Sequence, residues 1–220
     1  MINNTNILPG MIGQQLDAGS GGCASITNTT TTYINGAGTV LHYVPVTGYY
    51  RYGLNVWLMT ASELGSAKQF TGLELSKAYN EPSGMTHLNQ TLKMYHTTAS
   101  VLPSTINTSG TFGSSLTLTG ANAGLTVSDE TTVLDGSFYH SAGQGWKTMT
   151  FGSNFCYNGT DNVVFMWVNN AGYYDTSNYP YWDTDSTSAS SQRGGNDFSD
   201  SSGMTSVSRA NVRPHLKLKY

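Results

Sequence analysis

The sequence has few charged side chains. They make up 10% of its 220 residues, against about 25% in an average domain. Long solvent-facing helices depend on Glu, Lys and Arg, so this scarcity argues against a helical bundle. Ten Lys and Arg and a formal net charge of -3 leave little material for a basic face, so we expect no nucleic-acid partner. The basic residues near the C-terminus, interpreted as the solvated face of a strand, are Arg209, Arg213, Lys217 and Lys219.

Cysteines and long apolar runs are equally scarce. Cys23 and Cys156 are the two cysteines, too few for a disulfide scaffold and without the spacing of a zinc site. A bridge between the N-terminal segment and the body is one alternative, and a pair of buried thiols is the favoured one. No stretch approaches the ~20 apolar residues of a membrane span, so no membrane partner is expected.

Familiar catalytic motifs are missing from the sequence. It contains no G-x-S-x-G, no H-E-x-x-H and no phosphate-binding G-K-[ST], which argues against the hydrolases, metalloproteases and nucleotide-binding enzymes that use them. We expect the five histidines to lie on separate elements and interpret them as packing or surface residues. We therefore predict a protein that is not an enzyme, with a carbohydrate hydrolase as the remaining enzymatic alternative.

The residues that are abundant favour strands. Gly, Ser, Thr and Asn make up 97 residues, and 14 Tyr, 4 Trp and 7 Phe accompany them; Thr and aromatic side chains suit a pleated, half-buried surface. Residues 162–168 read NVVFMWV, apolar on both faces, which indicates a central strand. Thr60 to Gly65 has the T-x-x-E form of a capping box followed by a glycine stop. The fold predicted is all-β, a two-sheet jelly-roll sandwich over residues 39–220 with an extended N-terminal arm over residues 1–38.

The arm is polar, contains only one charge, Asp17, and has low-complexity runs. Such a segment does not bury enough apolar surface to order itself, so we expect it to lie on another surface or to stay flexible. The apolar side chains predicted to dock it on a neighbouring subunit are Ile7, Leu8, Met11, Ile12 and Leu16.

Residues 169–211 form the longest interval without a strand pattern, and long loops of this kind are usually functional or disordered. The aromatic residues predicted to bind a partner protein or a host-surface glycan are Tyr173, Tyr174, Tyr179, Tyr181 and Trp182. The alternative is that half of these rings only cap one end of the sandwich. No cofactor is expected beyond one structural calcium ion, for which the candidate ligands are Asp183, Asp185 and Asp197 with backbone carbonyls.

Three stretches and the C-terminus together resemble a known module. They are residues 38–65, with GYYRY and TASELG; residues 92–98, LKMYHTT; residues 145–164, with GWKTMT, Phe155 and YNGTDNVV; and residues 213–218, RPHLKL. Over about residues 36–220 the chain is similar to a β-sandwich module of secreted and cell-surface adhesion proteins of Bacteroidetes-type bacteria, akin to cleaved-adhesin and galactose-binding-like jelly rolls. This resemblance implies the sandwich fold and, more weakly, adhesion or carbohydrate contact.

The chain departs from that module by its single domain, its polar arm and a start at Met1 without a signal-peptide pattern. We therefore expect a bacteriophage virion structural protein, such as a capsid decoration, head-fibre or tail-associated subunit, located in the virion. Its expected partners are other virion proteins or further copies of itself in a homo-oligomer, with host-surface glycan as an additional ligand. The alternative is a secreted carbohydrate-binding or cell-adhesion module, located outside the cell or at its surface.

Overall fold

The computed structural model describes residues 29–33, 38–41, 44–79, 83–118, 122, 124–186, 191–196, 206–209 and 211–220. The first strands of this part are β1 (Thr30–Tyr33), β2 (Gly38–Leu41), β3 (Tyr52–Met59), β4 (Lys68–Lys77), β5 (Met85–Thr97), β6 (Thr105–Ser109), β7 (Thr117–Leu118) and β8 (Val127–His140). The later strands are β9 (Gly145–Tyr157), β10 (Asn162–Asn169), β11 (Trp182–Ser186), β12 (Ser191–Asn196), β13 (Ser206–Arg209), β14 (Val212–Pro214) and β15 (Leu216–Lys219). One helical turn, α1 (Ala61–Leu64), follows β3. None of the helical structure described is long and apolar enough to cross a membrane.

These strands form two antiparallel sheets, which confirms the predicted all-β sandwich. The first sheet runs β1-β15-β4-β11-β14, with β2 paired to β11 and β9 paired to β4; the second runs β7-β6-β13-β12-β3-β10-β5-β8. β1 lies within the segment assigned to the arm and pairs with β15, Thr30 opposite Lys219. The chain before residue 29, with the predicted docking residues Ile7, Leu8, Met11, Ile12 and Leu16, lies outside the described residues.

The main core lies between the two sheets. Leu73 and Leu75 of β4 and Leu92 and Met94 of β5 alternate inward, as their period-2 spacing predicts, and all four are fully buried. The stacked rings of Trp57 and Phe165, 5.1 Å between centroids, belong to this core. Burial of this apolar set is the dominant stabilising term.

A second core covers the opposite face of the β3–β10–β5 region. Val164, Met166 and Val168 of β10 point to it, and the segment between β5 and β8 supplies its cover through Leu102, Ile106, Leu116, Leu118 and Leu125. β10 is therefore buried on both faces, which confirms the central strand predicted from its continuous apolar run.

The capping box predicted at Thr60 to Gly65 is also confirmed, and a glycine forms the turn between β9 and β10. The Thr60 N–H donates to Glu63 Oε2 at 2.8 Å, and Gly65, at φ 75°, ends the turn with its N–H on Ala61 O at 2.8 Å. Asn158 and Gly159 connect β9 to β10, and Gly159 has a φ of 82°. A side chain there would be strained and would also meet the Ala67 backbone nitrogen at 2.5 Å.

Four sequence interpretations need correction. Residues 169–211 contain strands β11, β12 and β13 rather than one long loop, and His87 and His96 lie on the same strand, β5, rather than on separate elements. Arg213 is 3% exposed and forms an ion pair with Glu63 at 2.7 Å, so it does not belong to a solvated strand face.

Cys156 is disulfide-bonded, which overturns the favoured pair of buried thiols. Cys23, the other cysteine of the sequence, lies outside the described residues.

Candidate functional site

The predicted aromatic stretch is split between the surface and the core. Tyr174 is 40% exposed, and the Arg51 guanidinium lies 4.9 Å from the centre of its ring. Tyr173 is partly buried; its hydroxyl donates to Thr86 O at 2.5 Å and accepts from Leu88 N–H at 3.3 Å. These two contacts fasten the stretch to the start of β5.

Trp182 lies in the inter-sheet core. As the first residue of β11 it points inward, is 0% exposed and donates from Nε1 to Val46 O at 2.7 Å. Its ring contacts Phe138 and His140, with centroid distances of 6.1 and 5.6 Å. A ring at this depth stabilises the sandwich and is not available to an external partner, so the prediction that Trp182 binds a partner at the surface is wrong.

Tyr179 and Tyr181 instead join rings from two distant segments. Together they form a continuous row of tyrosines, here called the tyrosine surface, made of Tyr50, Tyr49, Tyr179, Tyr181 and Tyr79. Successive centroids are 5.1, 4.9, 5.3 and 4.8 Å apart, within the range of favourable aromatic pairs.

The row is held at the surface by its own contacts. The Tyr179 and Tyr181 hydroxyls lie 3.1 Å apart, and Tyr79 at the end of the row is 51% exposed while the other four are partly exposed. Edge-to-face pairs restrict the rings before any partner arrives, so little side-chain entropy remains to be lost on binding.

A buried amide network supports this end of the sandwich. Trp167 Nε1 donates to Gln90 Oε1 at 2.8 Å, and Gln90 Nε2 donates to Asn169 Oδ1 at 2.5 Å. Asn169 Nδ2 in turn donates to Thr47 O at 3.3 Å and to Tyr50 O at 3.1 Å. Gln90 and Asn169 are 0% exposed, and a buried network with its polar atoms paired in this way fixes the local geometry. It joins the central strand β10 directly to the backbone of the tyrosine surface.

The sequence neighbours of the two buried amides line a polar pocket. Its volume is about 160 Å³, and its lining residues are Asn89, Thr91, Gly113, Ser114, Asp135, Gly136 and Asn170. The pocket lies at a β-bulge, because the β5–β8 register shifts between His87 and Gln90 and Asn89 has a φ of 51°. Bulges re-aim side chains in this manner.

The predicted calcium ligands are only partly described. Asp183 Oδ2 accepts from Ser76 Oγ at 2.5 Å, and Asp185 Oδ1, on a fully buried side chain, accepts from His215 Nε2 at 2.7 Å. Asp197 lies outside the described residues. No group of three or more His, Cys, Asp or Glu that could hold a metal occurs within the described part of the chain, and the calcium site stays a prediction.

Two histidines lie near Lys77 at the edge of the inter-sheet core. The His87 and His140 rings are 5.3 Å apart and 1% and 2% exposed, and Lys77 Nζ lies 3.4 Å from His140 Nδ1. Burial, with the neighbouring His140 and Lys77 charges, lowers the pKa of His87 to about 3. Burial and the Lys77 charge likewise lower the pKa of His140 to about 4. Both imidazoles are therefore neutral at physiological pH.

Glu63 and Arg213 show the opposite balance of charge effects. Burial alone would raise the pKa of Glu63, but the Thr60 N–H and the Arg213 charge outweigh it, so the pKa is lowered. The pair joins α1 to β14 and is a stabilising contact of the scaffold.

Neither the membership of Tyr49, Tyr50 and Tyr79 in the tyrosine surface nor the polar pocket was predicted from the sequence. The Tyr49-Tyr50 doublet is a local signal, but its meeting with Tyr179 depends on strand pairing across about 130 residues of chain, which no local pattern encodes. Asn89, Asp135 and Asn170 come from three separate elements and carry no motif.

Comparison with known proteins adds no relative: no protein-family model, no curated protein and no solved structure matches the chain. The adhesion-module resemblance therefore stays a prediction.

Proposed function

We propose that this protein is a non-enzymatic structural subunit of a virion that assembles with further copies of itself through the tyrosine surface. The observation that supports the proposal is the row of five tyrosine rings, drawn from three distant segments and held in mutual ring contact at the surface. Tyrosine is enriched at the centres of protein interfaces because it offers a large contact area at a low entropy cost.

The charge of the chain favours self-association. Charged residues are 10% of the sequence and the formal net charge is -3, so two copies meet little long-range repulsion. The virion context rests on sequence features, namely the low charge and the low-complexity residues 1–38 predicted to dock on neighbouring subunits.

Sedimentation velocity from ~5 to ~500 µM protein tests the assembly. We expect the sedimentation coefficient to rise with concentration, or an oligomer to persist throughout. Tyr181→Ser and Tyr79→Ser should each weaken association at least tenfold, because removing an aromatic ring that is an interface hot spot typically costs about 2 kcal/mol.

Tyr139→Ser is the matched control, since Tyr139 is 60% exposed and lies on β8, outside the tyrosine surface. Its association constant should equal that of the unchanged protein. A chain that stays monomeric over the whole concentration range, or one that associates equally well with and without Tyr181, would refute the proposal.

The polar pocket favours a second candidate function, carbohydrate binding. Its lining combines a carboxylate, carboxamides and hydroxyls, which are the groups that hydrogen-bond sugar hydroxyls. This site is separate from the tyrosine surface, so the two functions are independent of each other.

A further inference from the structure

We infer that the polar pocket binds one uncharged sugar ring, with Asp135 as its main hydrogen-bond acceptor. The inference rests on the second candidate function and deepens it by naming the residues and the size of the ligand. Self-association through the tyrosine surface neither requires nor excludes it.

The pocket has the right size for a single ring. Its 160 Å³ fall below the ~300–1,000 Å³ typical of sites for drug-sized ligands, yet they hold several water molecules and are far more than one ion fills. Thr91, 2% exposed, belongs to its buried side, and Asp135, Asn89 and Ser114 are exposed, so the pocket is open to solvent.

The pocket carries both donors and acceptors. Asp135 Oδ1 is 3.4 Å from Thr91 Oγ1, a weak contact, so the carboxylate keeps most of its accepting capacity. The Asn89 and Asn170 carboxamides each offer an N–H₂ donor as well as an oxygen. A cation uses acceptors alone, whereas a sugar hydroxyl both donates and accepts, so this mixture favours the sugar.

The backbone of the lining is held in place before a ligand arrives. Asn89 and Asn170 are the immediate neighbours of the buried network residues Gln90 and Asn169, and Asn170 N–H donates to Asn89 O at 3.0 Å. Gly113, at φ 122°, leaves room for the Asn170 side chain, because a Cβ at position 113 would lie 3.0 Å from Asn170 Nδ2. Hydrogen bonds made by such a preformed site cost little ordering entropy.

Two-dimensional ¹H–¹⁵N NMR with a panel of methyl glycosides tests the inference. The probes are the methyl glycosides of glucose, galactose, mannose, fucose and N-acetylglucosamine, each titrated to ~50 mM, because single-ring binding is expected in the millimolar range. We expect at least one glycoside to shift the Asn89 and Asn170 side-chain amides and the Gly113 and Gly136 backbone signals in a saturable way.

Asp135→Asn should weaken that binding at least tenfold, because it replaces a charged acceptor by a neutral one. Asn89→Gly, which tolerates the positive φ of this position, should weaken it severalfold. Asp129→Asn is the matched control: it removes the same charge from the same strand, and Asn accepts the φ of 53° that Asp129 has. Binding by this control should be unchanged.

The ¹H–¹⁵N spectrum of each variant is recorded first; well-dispersed signals show that the variant is folded, so that a loss of binding cannot be due to a loss of structure. No saturable shift of the pocket signals with any glycoside overturns the inference, as does equal binding by Asp135→Asn. If the same signals shift with CaCl₂ and none shifts with a glycoside, the pocket binds a cation and not a sugar. The oligomeric state is measured separately by sedimentation, so failure here does not count against the proposed assembly.

Discussion

The inter-sheet core and the tyrosine surface are both built from aromatic rings, but they use them for different ends. In the core, Trp57 and Phe165 stack with an interplanar angle of 6° and are 1% and 0% exposed. At the surface, Tyr79 meets Tyr181 edge to face at 87°, and Tyr79 is 51% exposed. Aromatic content alone therefore does not identify a contact surface; what distinguishes the two regions is whether a ring lies on an inward face of a strand, as Trp57 and Phe165 do, or in the connections outside the strands, as Tyr79 and Tyr181 do.

The boundary between the two regions falls between consecutive residues. Tyr181 precedes β11 and joins the tyrosine surface, whereas Trp182 opens β11 and is buried. Stability should thus respond strongly to one of these two neighbours and weakly to the other.

The largest effect is expected for Trp182→Ala. Removing this ring leaves a cavity beside Phe138 and deprives Val46 O of its donor, so the free energy of unfolding should fall by about 3–5 kcal/mol. Urea unfolding followed by circular dichroism measures it. A loss below about 1 kcal/mol would show that Trp182 lies outside the core in solution.

The second effect is a pH dependence of stability, which arises from the two buried histidines at the edge of the core. The unfolded chain protonates its histidines near pH 6.5, whereas burial keeps the pKa of His87 at about 3 and that of His140 at about 4. Stability is complete above pH 6.5 and is lost as the pH falls towards these values. Between pH 7 and pH 5 the unfolding free energy should decrease by about 4 kcal/mol, and unfolding at pH 5 should take up close to two protons.

His87→Phe sharpens this test, because it keeps a ring against Phe138 and removes one of the two protonation sites. Its pH slope between 7 and 5 should be about half that of the unchanged protein. Val133→Ala, a substitution at a fully buried apolar position of the same core, should lower stability equally at both pH values. An unchanged slope in His87→Phe would mean that His87 does not remain neutral when buried.

The smallest effect on stability is expected for Tyr181→Ser. The ring is partly exposed and packs on Tyr79 and Tyr179, so its removal should cost about 1 kcal/mol or less while weakening self-association as proposed above. Urea unfolding under the conditions used for Trp182→Ala gives the comparison. A cost as large as that of Trp182→Ala would place the tyrosine surface within the core.

Much of the fold could be predicted from local patterns. Alternation marks Leu73 and Leu75 of β4, the continuous apolar run marks β10, and Thr60 with Glu63 marks the one helical turn. β11 and β12 were missed because they are short and polar, and their strand character comes from pairing with β2, β14 and β3 rather than from their own side chains.

The candidate site was less predictable. The Tyr179 and Tyr181 pair could be named from composition, but its assembly with Tyr49 and Tyr79 is a product of tertiary structure. Trp182 was misplaced because the strand that turns it inward was not recognised. The pocket depends on an irregularity, the bulge at Asn89, and a single extra residue in a strand leaves almost no trace in hydrophobic periodicity.

The hydrogen bond from Asn169 to the Tyr50 backbone affects how the protein transmits force. The Asn169 side chain ties the backbone at Tyr50 to β10, which is clamped between β3 and β5 by continuous ladders. A force applied to a partner bound at the tyrosine surface would be transmitted through this hydrogen bond to the middle of a sheet. Separating the strands there requires many backbone hydrogen bonds to break at the same time. An attachment point anchored in this way tolerates tension better than one carried by a peripheral loop.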